Sequence, residues 1–433
     1  MGAGVLTPLL ADAGLAVGPA GDLLMGEVPL RVVAEAMGTP TYVYNAAVIR
    51  ERFARLDAAF GALPHRICYA VKANGNLAVL RLLADCGAGA DIVSGGELLR
   101  ALAAGFPAER IVFSGVGKTD DELQAAITAG VGHINVESVA ELRRLAVLAE
   151  AQGARVPVGI RINPDVTAET HPYISTGKGG LKFGIPIDQL PDAYAVLDET
   201  SALVLDALAM HLGSQIMQPT PWVAALDRLL EVLANARRRG HAPTTLDIGG
   251  GIGIRYRDEA PMAPEDWVAA IHARLAATGC TVQLEPGRFL VGPAGVMLTR
   301  IVHRKHSGGR EIAIVDAGMN DLLRPSLYQA WHQIVAVDAP EASTVPTDVV
   351  GPVCETGDFL GLERDLPEVP AGALLAVLGA GAYAFAMSSN YNARARAAEV
   401  LVDGDRWAEV RPRERLRDLF ASETPDPFAD EAR

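Results

Sequence analysis

The stretch "CYAVKANGN", Cys68 to Asn76, places Lys72 in the middle of an apolar run that reads as a buried strand. A helical pattern, "NLAVLRLLADCG", follows it. An ammonium in such a place loses solvation unless it is paired or neutralised. One reading is a lysine at a strand's open end whose stem lies on apolar surface while its head reaches water. The other is a lysine kept for its amine, as in a Schiff base with a carbonyl compound or pyridoxal phosphate.

Other motifs bear on that choice. "DIGGGIG" lacks the dinucleotide-binding spacing, because Ile254 occupies the last glycine position. Three glycines after a strand still let backbone amides approach a phosphate closely, although a tight turn uses the same residues. "SGVGKT" has Val112 where a nucleotide-binding loop needs its first glycine. "HRKH", His303 to His306, reads as an exposed β-hairpin rather than a metal site. In "EPGR", Glu285 and Arg288 form either a structural ion pair or a working one. Arg288 could hold a carboxylate, and Glu285 could face a ring nitrogen and keep it protonated. In "GPVCETGD", Cys354 is either a packed small side chain or, beside Glu355 and Asp358, a proton donor. One strand-end lysine, a phosphate nest, a glutamate and several arginines suit pyridoxal phosphate better than any nucleotide.

Positioning these groups requires an ordered scaffold. From about residue 41 to 289, strand-like segments ("TYVYN", "RICYAVKAN", "ADIVSGG", "RIVFSGVG", "HINVES", "PVGIRINP", "LDALAMHLGSQ", "TLDIGGG", "VQLEPGR") alternate with amphipathic helical patterns. "SVAELRRLAVLAEAQG" carries Val139, Leu142, Leu145 and Leu148 near helical spacing. Repeated βα units imply a parallel sheet, closed into a (β/α)₈ barrel if there are about eight, with an open doubly wound sheet as the alternative. Lys72, Asn163, His211, Ser214, Gly249 to Gly251 and Glu285 to Arg288 all fall just after strand cores. In a barrel those positions share the C-terminal rim, where active sites sit. Beyond about residue 290 the segments read mainly as strands. The expected organisation is therefore α/β plus β: a barrel over 41–289, and a β domain from 290–433 with the N-terminal 1–40, which carries the strand-like "EVPL". The tail "ASETPDPFADEAR" reads as frayed.

Bulk properties narrow the function class. The 433 residues carry a net charge of -14, which argues against nucleic acid and an anionic membrane surface as partners. Cys68, Cys86, Cys280 and Cys354 form no C-x-x-C pair, which reads as a reducing, cytoplasmic compartment. No basic residue precedes Arg31, so a secretory n-region is missing, and no apolar run reaches membrane-spanning length. Leu6 stands where a myristoylation motif wants Ser or Thr.

Taken in order, "YAVKAN", "DIVSGGEL", "FSGVGKT", "RINPDV", "THPYISTGKGGLKFGI", "HLGSQI", "LDIGGGIGIRY", "EPGR", "DAGMNDLLRPSLY", "GPVCETGD" and "GAYAFAMSSNYN" resemble the diaminopimelate decarboxylases. These are pyridoxal-phosphate enzymes with an alanine-racemase-like barrel plus a β domain. The resemblance spans nearly the whole chain. It implies that Lys72 is the Schiff-base lysine, that His211 stacks on the cofactor ring and that Glu285 pairs with its pyridine nitrogen. It implies that Ser214, Gly250, Gly251 and the backbone of Glu285, Pro286, Gly287 and Arg288 hold the phosphate. Arg288, Arg324, Tyr328 and Glu355 would bind substrate, and Tyr383 would touch both cofactor and substrate. Cys354 would reprotonate the α-carbon from the neighbouring subunit of a homodimer. Thr356 departs from the serine usual there, keeping the hydroxyl.

The reaction so implied takes meso-2,6-diaminopimelate to L-lysine and carbon dioxide, the last step of lysine biosynthesis, with Arg324 and Glu355 matching the charges at the substrate's far end. The alternatives are a related decarboxylase of another basic or modified amino acid, such as ornithine, and a catalytically inactive, cofactor-binding regulator. A substrate without a distal carboxylate would leave Arg324 unmatched.

Overall fold

The computed structural model describes residues 3–166, 182–338, 340 and 342–425. It divides into two units. One comprises Ala46–Ala294 together with Gly381–Ala386; the other holds the remainder of the described chain.

Eight parallel strands build the first unit: β1 (His65–Ala70), β2 (Gly89–Ile92), β3 (Ile111–Phe113), β4 (His133–Val136), β5 (Val156–Asn163), β6 (Leu203–Ala209), β7 (Thr245–Asp247) and β8 (Thr281–Leu284). Each pairs with the next, and β8 returns to β1, so the sheet closes into a barrel. Helices between strands cover the outside. Val139–Ala151 buries Leu142, Leu145 and Leu148, and Thr220–Arg238 buries Trp222, Leu226, Leu229 and Leu233. Covered on both sides, β2, β3 and β4 are wholly buried; β3 is apolar throughout, whereas β2 buries Asp91 and β4 buries His133 and Asn135.

The early β-to-α turns share one device. Asn76, Ser94, Thr119 and Ser138 are N-caps whose side chains accept a backbone N–H of the following helix. Each such cap contributes about 1 kcal/mol. After three of them a glutamate stands at the third helical position. These glutamates also tie turns together: Glu122 accepts the Gly95 N–H at 2.8 Å, and Glu141 accepts the Lys118 ammonium at 2.7 Å. The C-terminal rim is thus laced before any ligand is considered.

In the second unit, strand Gly295–Ser307 is central. It pairs with Arg310–Val315, Leu374–Val377 and Thr41–Asn45, all antiparallel. Thr41–Asn45, the "TYVYN" expected in the barrel, lies instead between Gly295–Ser307 and Ala398–Asp403. All five of its residues are buried, so an inner strand of this sheet has the same apolar signature as a barrel strand. The core beneath includes Leu23, Leu30, Val43, Val296, Leu298, Val335, Ala376 and Val400. "EVPL" contributes only the two-residue strand Val28–Pro29, in a small three-stranded sheet with Leu15–Val17 and Leu23–Met25. "HRKH" lies on the exposed hairpin that turns at Gly308 and Gly309, with His306 bonded to Glu311 at 2.8 Å. Among the described residues no helix is long and apolar enough to cross a membrane. The last residues of the polar tail, 426–433, lie outside the described residues.

Candidate active site

Lys72 is not on a strand. β1 ends at Ala70, and Lys72 sits in the single 3-10 turn Val71–Ala73 at the barrel's C-terminal rim. Its Nζ donates to Asp91 Oδ2 at 2.8 Å, while the Lys72 side chain stays about a third exposed. Asp91 is on β2 and fully buried, and its second oxygen, Oδ1, has no hydrogen-bond partner among the described residues. Burial pulls the ammonium's pKa down, but the Asp91 and Glu285 charges outweigh it and hold the amine well above its ordinary range.

Glu285 follows β8 and is also buried. It accepts the Ser114 hydroxyl at 3.2 Å. Burial first, then Asp247 and Asp91, push its carboxyl well above the usual carboxylate range. His211, after β6, lies 4.0 Å from it. The contact is not an ion pair, since burial, with Arg161 and Lys72 adding to it, keeps the imidazole neutral. Consistently, His211 Nδ1 accepts the Gly250 N–H at 3.2 Å. The Gly250 amide, expected on the phosphate, is therefore engaged by His211 in this structure.

The glycine loop leaves no room for side chains. A Cβ on Gly250 would lie 2.1 Å from the Glu285 carbonyl oxygen, and one on Gly251, at φ +101°, would lie 2.4 Å from that of Gly213. The loops carrying Ser214 and Gly251 are clamped together. Ile216 N–H donates to the Gly251 carbonyl at 2.9 Å, and the Gln215 amide bonds both backbone groups of Ile254. Arg288, 7% exposed, donates to Ser214 Oγ at 3.1 Å and to the Tyr256 hydroxyl at 2.6 Å. Its guanidinium also lies 4.8 Å from the centre of the Tyr383 ring. Tyr383 is at positive φ, +55°, and its N–H donates to the Ala73 carbonyl at 2.8 Å, next to Lys72. Pro286 accepts the Ala70 N–H at 3.2 Å, and a Cβ on Gly287 would lie 2.9 Å from that of Ala73.

Barrel residues expected at the site are thus brought to one rim: Lys72, His211, Ser214, Gly250, Gly251, Glu285, Pro286, Gly287, Arg288 and, from a distant point in sequence, Tyr383. The chemistry of the donor set fits pyridoxal phosphate. It offers an amine for the aldehyde, an acid for the ring nitrogen, a flat neutral imidazole and a side-chain-free loop beside an arginine for the phosphate.

The other expected residues belong to the second unit. Arg324 opens the short helix Arg324–Tyr328 and is 6% exposed, with Nη1 donating to His332 Nε2 at 2.9 Å. The other His332 nitrogen donates to the Leu378 carbonyl at 2.8 Å. Tyr328 ends that helix, half-buried. Cys354 and Glu355 are exposed on the loop after Thr344–Val350, where the Cys354 N–H donates to Asn392 and Glu355 accepts the Tyr391 hydroxyl at 3.1 Å. Asp358 shapes this loop. Its carboxylate accepts the Val353 and Met319 N–H groups, each at 2.6 Å. Ser326 Oγ donates to the Gly357 carbonyl at 2.6 Å, tying the arginine's helix to the cysteine's loop.

Sequence reading missed Asp91, Ser114, Asp247 and Tyr256. Asp91 and Asp247 are acids inside otherwise apolar strands, a signal that was available. Most of "THPYISTGKGGLKFGI" lies outside the described residues.

The family model described as pyridoxal-dependent decarboxylase, pyridoxal binding domain, matches residues 46–292. A diaminopimelate decarboxylase of Pseudomonas aeruginosa is 50% identical over 93% of this chain and 97% of its own length. The crystal structure of diaminopimelate decarboxylase from Helicobacter pylori complexed with L-lysine is 37% identical, with a TM-score of 0.88, covering 91% of this chain and 99% of that one. The crystal structure of diaminopimelate decarboxylase from m. jannaschii in co-complex with L-lysine is 33% identical, with a TM-score of 0.90, covering 96% of this chain and 98% of that one.

Proposed function

The chain belongs to the diaminopimelate decarboxylase family, and from that premise we propose how its residues carry out the family's reaction. It is a pyridoxal-dependent carboxy-lyase that converts meso-2,6-diaminopimelate to L-lysine and carbon dioxide. The observation that carries the residue-level reading is the convergence on one barrel rim of the Lys72 amine, the buried Glu285 acid and the glycine loop beside Arg288.

Lys72, His211, Ser214, Gly251, Glu285, Arg288 and Tyr383 would hold pyridoxal 5'-phosphate, whose chemistry there would be that of an electron sink for decarboxylation. Lys72 provides the covalent anchor, and Asp91 holds its nitrogen at the rim. Glu285 would present its carboxyl to the ring nitrogen. His211, neutral, offers a flat uncharged face and adds no competing cation. Ser214 and Arg288, already bonded to each other, form the polar wall for the phosphate.

Substrate selection falls to the second unit. A guanidinium buried with His332 at its back suits a carboxylate, and Glu355 suits an ammonium; diaminopimelate offers both at the end away from the reacting carbon. Ornithine and lysine lack that distal carboxylate. Cys354 Sγ–H supplies the proton that replaces the lost carboxylate on the α-carbon. Because Cys354 and Glu355 are exposed in the single chain, we place them in the barrel of a second copy, giving a two-fold homodimer with shared sites. Four unpaired cysteines support a cytoplasmic location.

The direct test measures carbon dioxide and L-lysine from the three diaminopimelate stereoisomers, lysine and ornithine. Release from the meso isomer, with borohydride fixing the cofactor on Lys72, is the expected result. Turnover of ornithine in preference to diaminopimelate, or a label on another lysine, would refute the reading.

A further inference from the structure

Glu285 is backed by a second acid. Asp247 closes β7 and is fully buried. Its Oδ1 accepts the Gly249 N–H at 2.9 Å. Its Oδ2 accepts the Gln283 amide at 2.7 Å and the Asn135 amide at 3.5 Å. That Asn135 amide also donates to Ser114 Oγ at 3.2 Å, and Ser114 in turn donates to Glu285. Through Asn135 and Ser114 the two carboxyl groups thus share one hydrogen-bonded chain. Among the described residues the donors to Asp247 are neutral amides, and the Lys72 ammonium is bonded to Asp91 instead. A buried carboxylate held without a cation is costly, so its place here asks for a reason.

We propose that Asp247 is a positioning residue for the decarboxylation, an uncompensated buried carboxylate that orients Glu285 and keeps a proton on the pair formed by Glu285 and the cofactor's ring nitrogen. This rests on the reading of Glu285 as the ring's partner. No atom is transferred to or from Asp247. The proton lies between Glu285 and the ring nitrogen, and three amide donors favour the Asp247 anion against the burial that pushes its carboxyl up. The groups facing Glu285 are Asp247 from β7, Asp91 from β2, Cys68 from β1, Lys72 beyond β1, Ser114 beyond β3 and His211 beyond β6. Lys72 alone opposes protonation, and it is bonded to Asp91. The direction of the Glu285 shift agrees, with burial first and Asp247 next among its causes.

The experiment uses holoenzyme reconstituted with ring-¹⁵N pyridoxal phosphate and follows the ring-nitrogen resonance against pH in the wild type, Asp247→Asn and Glu285→Gln. The wild-type nitrogen should stay protonated over about pH 6 to 9, and Asp247→Asn should lower its midpoint by roughly one to three pH units, the usual effect of a close like charge. An Asp247→Asn nitrogen that titrates as the wild type does, while Glu285→Gln loses the proton, overturns this inference and leaves the Glu285 reading intact. If Glu285→Gln also keeps the proton, the Glu285 reading falls and this one with it. The variant can be accommodated, because Gln283 Oε1 has no partner among the described residues and its amide can turn to accept the new N–H. Should that variant not fold, Gln283→Leu removes the 2.7 Å donor and drives the shared proton onto Asp247. The ring midpoint should then fall too, and an unchanged one again overturns the proposal.

Discussion

At the scale of single residues, the barrel interior is a charged and polar layer whose protonation is set by burial. His133 on β4 shows it most simply. It is buried, with Nε2 3.4 Å from the Gln283 amide nitrogen, and burial pushes its imidazole down from 6.5 to about 4. Between those values the unfolded chain binds a proton that the folded chain refuses, so folding is favoured above about pH 6.5 and progressively less as pH falls towards 4. Across the whole window the loss amounts to about 3 kcal/mol. Urea unfolding of the wild type at pH 7.5 and 5 should show a drop that is distinctly smaller in His133→Gln; equal drops would mean that other groups carry it. The same layer explains which site residues sequence could expose. Lys72 and Glu285 stand at the ends of apolar runs beside glycine and proline, where a charge is conspicuous. Asn135 and Gln283 sit inside four-residue strands that alternate polar and apolar residues. There a polar residue looks like the solvent-facing half of an alternating strand, and only closure of the barrel turns it inward.

At the scale of elements, the loop from Gly351 to Asp358 decides whether Cys354 is placed or merely present. Asp358 gathers the Val353 and Met319 amides, and a Cβ on Gly351 would come within 2.4 Å of its carboxylate. Each charge-assisted bond is worth about 1.5–3 kcal/mol. Asp358→Ala should therefore loosen the loop and displace Cys354, and a displacement of about 1 Å can cost up to about 10²-fold in rate. Cofactor absorbance should remain, because the cofactor residues lie in the barrel unit. A variant with wild-type kcat would show that the loop is set by other contacts. The succession of βα units was legible from hydrophobic period and glycine placement. "TYVYN" was not, since inner strands of a parallel barrel and of a β sheet are apolar on both faces alike. The spacing of Ser94 to Glu97, Thr119 to Glu122 and Ser138 to Glu141 was visible as a repeated helix-start signal. Its second use, lacing neighbouring turns together, follows only from their adjacency in the closed barrel.

At the scale of the whole molecule, the proposed homodimer divides the work between two copies. Mixing Lys72→Ala with Cys354→Ala tests this. Under random exchange half the dimers are mixed, and each mixed dimer has one intact site, so roughly a quarter of wild-type activity should return. Mixed dimers confirmed by mass yet silent in the assay would place Lys72 and Cys354 of one site on the same chain. The units themselves are interleaved along the sequence. Gly381–Ala386 belongs with the barrel, while the segments on both sides of it belong with the β unit, and the first inner strand of that unit, Thr41–Asn45, finds its neighbours only at Gly295–Ser307 and Ala398–Asp403. A ribosome releasing this chain therefore emits the whole framework of the barrel before Tyr383, and emits Tyr383 before the β sheet can close. A nascent chain that stalls anywhere short of residue 383 leaves the amine at Lys72 without the backbone N–H that braces Ala73, so synthesis itself delays the completed pocket until the polypeptide is almost entirely made.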